Sequence, residues 1–258
     1  MRYDRANKRH ESLQSENEQL RRENERLRHE AEFIRETLNS TLHEVRRFSA
    51  QISSFTSILS QKTEGDPVLN GTAQSAFLAA GMISSRLAYT DIQLNPRALE
   101  HQTPVRAGIY KKFDKTRKLL TEEARRKRVR VEFTGESRNE IEALPVFELL
   151  PFVLLDNAIK YSPNDQIVTV NFEQTDRKDH VTVKSTGPWA SKEELARLFE
   201  KGFRGQQVKN LPGQGLGLFL AKEVCALHSV RIRAECSSIS SYQINGINYA
   251  EFKIDLQF

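Results

Sequence analysis

The chain has few cysteines and no long apolar segment. Cys225 and Cys236 are the two cysteines among 258 residues, and their spacing fits neither a zinc site nor a disulfide framework. This excludes a disulfide-stapled scaffold and indicates a reducing compartment. No apolar run approaches the roughly 18 residues of a membrane span, and no signal peptide opens the chain. We therefore expect a cytoplasmic chain without a membrane segment, and a sensing or membrane region further upstream stays open.

The net charge of +5 is unevenly distributed. Residues 1–37 carry equal numbers of basic and acidic residues, whereas residues 106–130 carry eleven Lys and Arg against three Asp and Glu. A basic stretch of this kind is typical of a solvated helix face, and less often of a surface for phosphate or an acidic partner. The balanced charge of the first segment argues against a zipper-type nucleic-acid binder, which needs a basic region. We expect no nucleic-acid partner.

A heptad repeat runs through residues 10–60. Position d is occupied by Leu13, Leu20, Leu27 and Ile34, and position a by Asn17, Asn24, Ala31, Leu38, Val45, Ile52 and Leu59. The repeat predicts a parallel coiled coil, and asparagines at successive a positions favour an in-register, two-stranded homodimer. The apolar face broadens after residue 37, as expected where a two-helix coil opens into a four-helix bundle.

The rest of the pattern divides the chain into four parts. We predict a coiled coil over 1–37, a dimerising helical hairpin over 38–95, a linker over 96–104 and an α/β domain over 105–258. Within the hairpin, residues 63–71 read as a turn and a second helix follows from about 72 to 92. Further helices are expected at about 105–127, 146–161, 191–199 and 216–228, and strands at 129–133, 167–172, 181–184, 230–234 and 250–256. The fold class is α+β, with a two-layer α/β sandwich after the helices.

Two motifs far apart in the α/β part indicate a magnesium–nucleotide site. In Leu154–Pro163, an apolar helix presents Asn157, Lys160 and Tyr161 on one face. An amide oxygen can ligate a hard divalent cation, and an ammonium can meet a phosphate oxygen. In Gly213–Leu218, three glycines alternate before an expected helix. Glycines allow close approach of the backbone to phosphates, and a helix start supplies free N–H groups.

These two motifs resemble the N box and G2 box of histidine kinases, within the gyrase, chaperone, kinase and MutL group of ATP-binding domains. Residues 194–205 between them resemble the F box. The resemblance implies a Bergerat-type domain that binds ATP and Mg²⁺, with Asn157 as the metal ligand. It also implies nucleotide-contacting roles for Lys160, Tyr161, Gly213, Gly215, Leu216 and Gly217, packing of Phe199 and Phe203 under a mobile lid, and charge stabilisation by Arg204 or Lys209.

The G1 box departs from that family pattern. Ser185 stands where the family generally has an Asp that reads the adenine amino group, followed by Gly187 and then Trp189. A hydroxyl accepts a hydrogen bond without charge assistance. The resemblance then implies weaker adenine binding or relaxed base selectivity. Val153 similarly replaces a second Asn of the N box.

His43 is the candidate phosphoacceptor. It falls at the outward heptad position f, with Glu44 at g, and Leu42–Phe48 resembles the H box of histidine kinases. An exposed imidazole can be reached by both a nucleotide and a partner domain, and the adjacent carboxylate can take or orient a ring proton. Arg47 replaces the Thr or Asn that in the family helps position a water for dephosphorylation, which argues against phosphatase activity.

The prediction is a homodimeric, two-component sensor histidine kinase core. It would autophosphorylate His43 from ATP and pass the phosphoryl group to an Asp on a response-regulator receiver domain. The alternative is a pseudokinase scaffold that dimerises and docks a receiver domain without transferring phosphate. A Ser/Thr protein kinase of the same ATP fold is a lesser alternative, because such proteins lack the histidine hairpin.

Overall fold

The computed structural model describes residues 2–95, 97, 99, 102–175, 178–209, 211 and 213–258, with the side chains of residue 10 and of those from 13 onward. The helices are α1 Arg2–Lys62, α2 Pro67–Leu94, α3 Ile109–Leu119, α4 Thr121–Arg126, α5 Leu149–Tyr161, α6 Lys192–Arg197 and α7 Gly217–Leu227, with 3-10 turns at Pro145–Glu148 and Gln206–Val208. The strands are β1 Val105–Gly108, β2 Arg130–Gly135, β3 Glu140–Ala143, β4 Ile167–Gln174, β5 Asp179–Pro188, β6 Arg231–Cys236, β7 Tyr242–Ile244 and β8 Ile247–Gln257.

The chain divides after Ala50 into two compact units. The first is the N-terminal part of α1, which crosses the predicted 37/38 boundary without a break. Its heptad leucines remain about half exposed, for example Leu13 at 55% and Leu27 at 51%. A single helix cannot bury its own apolar stripe. Among the described residues, no helix combines the length and apolarity needed to cross a membrane.

The second unit, Gln51–Phe258, contains the C-terminal end of α1, helix α2 and the α/β sandwich. Its main sheet has the order β2-β4-β5-β8-β6, with β2 parallel to β4 and the other pairs antiparallel, and β7 pairs with β8. Strands β1 and β3 form a separate antiparallel pair. The predicted α+β class with a two-layer sandwich is confirmed.

The core lies between the sheet and a helical layer. Alternate residues of β4 and β5, such as Val170 and Val181, are buried on the helix-facing side, and α5 buries most of its apolar residues against them. Phe172 contacts the rings of Phe113 and Phe133 at 5.6 and 5.3 Å between centroids. This packing leaves the polar residues at the C-terminal end of α5, such as Asn157 and Lys160, only half-buried.

Two predicted boundaries were wrong. Residues 67–71 are helical rather than part of a turn, because Pro67 suits the first turn of a helix and the Asp66 carboxylate accepts hydrogen bonds from the backbone N–H groups of Val68 and Leu69. Residues 105–108 form a strand rather than the start of a helix, because they pair with Glu140–Ala143. In the predicted linker, residues 96, 98, 100 and 101 lie outside the described part of the chain.

His228 ties the end of α7 to the segment that precedes α5. Its Nδ1 lies 2.7 Å from the carbonyl oxygen of Val224, and its Nε2 accepts the backbone N–H of Leu144 at 3.0 Å. A ring that donates at one nitrogen and accepts at the other is neutral. Burial lowers the pKa of His228, against a smaller opposite effect of the Val224 carbonyl.

The neutral His228 predicts acid sensitivity of the fold. Below the ordinary pKa of 6.5 the unfolded chain takes up a proton that the folded chain does not. The free energy of unfolding therefore decreases as the pH is lowered, until the lowered pKa of the folded state is passed. Above that ordinary value the contribution is complete. Urea unfolding between pH 7.5 and 5 checks this, with His228→Gln as the comparison because its amide keeps a donor and an acceptor. We expect the free energy of unfolding to decrease more steeply with decreasing pH in the wild type than in the variant, and the difference in slope should correspond to at most about one proton. Identical slopes would contradict the assignment.

Candidate functional site

A cavity of about 380 Å³ lies between α5, α7, β5 and the segment 203–208, which we call the lid. This volume is in the range of small-molecule sites. All but one of the nucleotide-contacting residues predicted from the sequence line it: Asn157, Lys160, Tyr161, Ser185, Gly187, Phe203, Arg204, Gly213, Gly215, Leu216 and Gly217. Phe199 instead packs against the hydrophobic core.

The polar end of α5 contacts the glycine-rich segment before α7. A Cβ at Gly213 would lie 3.1 Å from the Tyr161 hydroxyl and 3.3 Å from Lys160 Nζ. A Cβ at Gly217 would lie 3.2 Å from the Asn157 amide nitrogen. Glycine therefore lets these two segments, distant in sequence, meet at one wall of the cavity.

Gly215 fixes the turn that joins this wall to the lid. It has a φ of +68°, and a Cβ there would lie 2.5 Å from the carbonyl oxygen of Phe203. Its own carbonyl accepts the N–H of Gly202 at 3.0 Å. Both the left-handed backbone and the lack of space require glycine at this position.

Lys127 holds the C-terminal end of α5 in place. Its Nζ donates to the carbonyl oxygens of Ile159, Lys160 and Ser162 at 2.9, 2.6 and 2.6 Å. These are carbonyl groups that a helix end leaves without helical partners. Burial lowers the pKa of Lys127. Lys127 thereby positions the backbone that carries the cavity residues Lys160 and Tyr161.

Sequence reasoning missed two charged residues of the cavity wall. Asp156 precedes Asn157, and burial raises its pKa, with Glu123 acting in the same direction and Lys160 against it. Arg86 reaches the cavity from α2, outside the α/β domain. The motif string contains Asp156 and could have indicated it. No sequence signal marks Arg86, because its position depends on how α2 packs.

The opposite wall is formed by β5. Ser185 is buried, its strand pairs it with Phe252 of β8, and no protein group in the described part of the chain hydrogen-bonds its hydroxyl. Trp189 also lines the cavity, and its buried indole N–H has no hydrogen-bond partner among the described residues. This wall thus offers one hydroxyl that can donate or accept and one N–H donor, without a carboxylate.

The lid is anchored at its base. Glu194, in a capping box with Ser191 at the start of α6, accepts the backbone N–H of Gln206 at 2.7 Å. The Arg204 guanidinium donates to the carbonyl oxygens of Val208 and Leu211. Arg204 is therefore engaged within the lid. Lys209, the other residue predicted to stabilise charge, directly follows the lid and does not line this cavity.

His43 and Glu44 are exposed on α1, in the unit that ends at Ala50. Because the predicted a and d residues of α1 are also exposed in the single chain, the outward heptad position of His43 stays a prediction. Among the described residues, no group of three or more His, Cys, Asp or Glu side chains could hold a metal ion. A metal in the cavity would therefore rest on Asn157 together with ligand and water oxygens, the sparse protein coordination typical of magnesium.

Most of the α/β domain is similar to a known family of ATP-binding domains. Residues 148–256 match the family of histidine kinase-, DNA gyrase B-, and HSP90-like ATPases. The adaptive-response sensory kinase SasA of Gloeothece citriformis (strain PCC 7424) is 40% identical over 76 residues, covering 29% of this chain and 19% of that protein. The histidine-protein kinase/phosphatase MprB of Mycobacterium leprae (strain TN) is 38% identical over 84 residues, covering 32% and 16%.

The chain thus matches less than a fifth of the length of each of these relatives. A solved mycobacterial sensor histidine kinase MprB is also similar, with a TM-score of 0.47 at 23% identity, covering 60% of this chain and 97% of that one. The family match spans Asn157, Ser185 and the three glycines of the cavity wall. The sequence-based recognition of a histidine kinase core is confirmed by these similarities, in which residues 148–256 match the histidine kinase-, DNA gyrase B- and HSP90-like ATPase family.

Proposed function

We propose that this chain binds ATP with Mg²⁺ in the cavity and transfers the γ-phosphoryl group to His43. The observation that carries the proposal is the contact between the polar end of α5 and the glycines before α7 at one cavity wall. A cation ligand, an ammonium group and a phosphate-accommodating backbone are thereby brought together. These are the parts that phosphoryl transfer needs, because its catalysis is mostly positioning and charge stabilisation.

The phosphates would lie at the start of α7. This helix begins at Gly217 after Leu216, which makes no side-chain cap, so the N–H groups of the first turn are left for a ligand. Lys160 supplies a positive charge at the same wall. Asn157 would hold Mg²⁺ by its amide oxygen, and the metal would neutralise charge on the phosphate oxygens.

In the transfer step, an imidazole nitrogen of His43 attacks the γ-phosphorus. The new N–P bond forms as the bond from that phosphorus to the bridging oxygen breaks, and ADP leaves with the bond's electron pair. The proton on the other ring nitrogen passes to the Glu44 carboxylate. The exposure of both side chains on α1 supports this assignment, since the histidine must be reachable by the nucleotide and then by the acceptor.

A second copy of the chain and a receiver domain are the proposed partners. The heptad stripe of α1 is exposed in the single chain, and Ile34 at 58% is among its most exposed members. Pairing two such stripes in parallel would bury them. The receiver domain's Asp would take the phosphoryl group from His43.

Labelling with ATP tagged at the γ-phosphate tests the proposal. We expect acid-labile, alkali-stable label on the full chain in the presence of Mg²⁺, and its transfer to a receiver domain. A chain that dimerises but neither binds ATP at millimolar concentration nor takes up label would instead be a pseudokinase scaffold. The observation that favours this second candidate is that the cavity has the Ser185 hydroxyl, and no carboxylate, at the position expected to contact the adenine.

Ser185→Asp should sharpen base selectivity. A hydroxyl can face either the amino group of adenine or the carbonyl of guanine, whereas a carboxylate accepts only and repels the carbonyl. We expect the ratio of ATP to GTP affinity to rise by about tenfold, the scale of one charge-assisted hydrogen bond. Competition of both nucleotides against a fluorescent analogue measures it, with Ser185→Ala as the control that lacks both functions. An unchanged ratio in the Asp variant would place the base elsewhere.

A further inference from the structure

Helix α2 contributes an arginine to a cavity that otherwise belongs to the α/β domain. Arg86 lines the cavity, although it precedes the ATPase family match by more than sixty residues (148 against 86). The helix is firmly docked there: Tyr89 is only 3% exposed and belongs to the hydrophobic core of the domain. Met82 and Ile92 pack against the same core. Arg86 is therefore presented by a fixed helix.

The charge of Arg86 has no protein counterion in the described part of the chain. Its guanidinium lies over the ring of Tyr89, 5.6 Å from the centroid, and none of the ion pairs among the described residues includes it. Stacking on a ring orients the guanidinium without neutralising it. Of the other cavity cations, Arg204 is engaged by lid carbonyl groups, and Lys160 lies beside the glycines.

Arg86 enters the cavity from the side of α5 rather than from β5, because α2 packs against α5. Asn157 and the glycines before α7 form the cavity wall on that side. Ser185 lies on the sheet. A cation on the α5 side faces the part of the cavity assigned to the phosphates.

We propose that Arg86 binds the nucleotide phosphates, so that α2 of the hairpin completes the nucleotide site. This rests on the proposed function, and it adds that affinity for phosphate depends on a residue outside the ATPase domain. Because binding and docking are linked reciprocally, a nucleotide held by Arg86 also stabilises the docking of α2 on the domain. Guanidinium groups suit this role, since their fixed fork of donors matches phosphate oxygens.

Calorimetry on the full chain with Mg²⁺ and, in turn, ATP, ADP and adenosine tests Arg86. We expect Arg86→Gln to weaken ATP binding by about tenfold, to weaken ADP binding equally or less, and to leave adenosine binding unchanged. The ATP affinity of Arg86→Lys should lie between those of Arg86→Gln and the wild type. Arg117→Gln is the matched control: Arg117 also lies over a ring, that of Phe133 at 5.0 Å, but pairs with Asp114 away from the cavity. Its ATP affinity should equal that of the wild type.

Three outcomes would overturn the inference. Equal ATP affinity in Arg86→Gln and the wild type would show that the guanidinium does not contact phosphate. If Arg86→Gln loses affinity for ATP and adenosine equally, or if a lowered melting temperature accounts for its loss of ATP affinity, Arg86 has a structural role only. No binding of ATP by the wild type would reject the proposed function itself and Arg86 with it, whereas the first two outcomes leave that function standing.

Discussion

His43→Gln leaves a chain that binds ATP and takes up no acid-labile phosphate. Glutamine keeps a polar side chain of similar size, but its amide nitrogen is not nucleophilic, so the N–P bond cannot form. Because His43 is exposed on α1, the substitution should not disturb the fold. The expected loss is complete rather than partial. Label retention after acid and alkali treatment, with ATP affinity measured on the same sample, provides the readout.

The matched control is another exposed histidine on the same helix. His29 lies on α1 and is 85% exposed at its side chain. His29→Gln should therefore label like the wild type. Acid-labile label that survives His43→Gln, with His29 intact, would move the acceptor to a different residue while leaving the nucleotide site unaffected.

Asn157→Ala should have the second largest effect, on the binding of ATP with Mg²⁺. The amide of Asn157 lies against Gly217 at the wall assigned to the phosphates, and within the described residues no acidic cluster offers alternative metal ligands. We expect the affinity for ATP with Mg²⁺ to fall by about 10- to 100-fold, as for the loss of groups that fix a metal site. Labelling of His43 should fall at least as far.

Magnesium dependence separates a metal ligand from a packing residue. If Asn157 holds the cation, the wild type loses affinity when Mg²⁺ is removed by a chelator, and Asn157→Ala changes little on the same treatment. Asn171→Ala serves as the control, since this half-buried Asn on β4 lies away from the cavity and its amide donates to the exposed Glu173 carboxylate. A variant at 157 that retains the full magnesium effect would contradict the assignment.

The extent of sequence prediction differs from element to element. The strand at 167–172 and the helix at 146–161 were found because each has a periodicity of its own, alternating in one and apolar with a polar end in the other. Strands β1 and β3 were missed because each has four residues and is defined by pairing with the other, more than thirty positions away (105 against 143). Pairing of that kind leaves no local pattern.

The sequence by itself determined the heptad helix with its outward His43 and the two motifs around Asn157 and the glycines 213–217, because those features are written in spacing along the chain. Only the tertiary structure decided that Lys127 holds the end of α5 and that Arg86 of α2 enters the cavity. Lys127 belongs to the basic stretch 106–130, which was interpreted as a solvated helix face, and no sequence signal marks Arg86. Their roles arise from contacts with groups far along the chain, and such contacts form only when the helices pack.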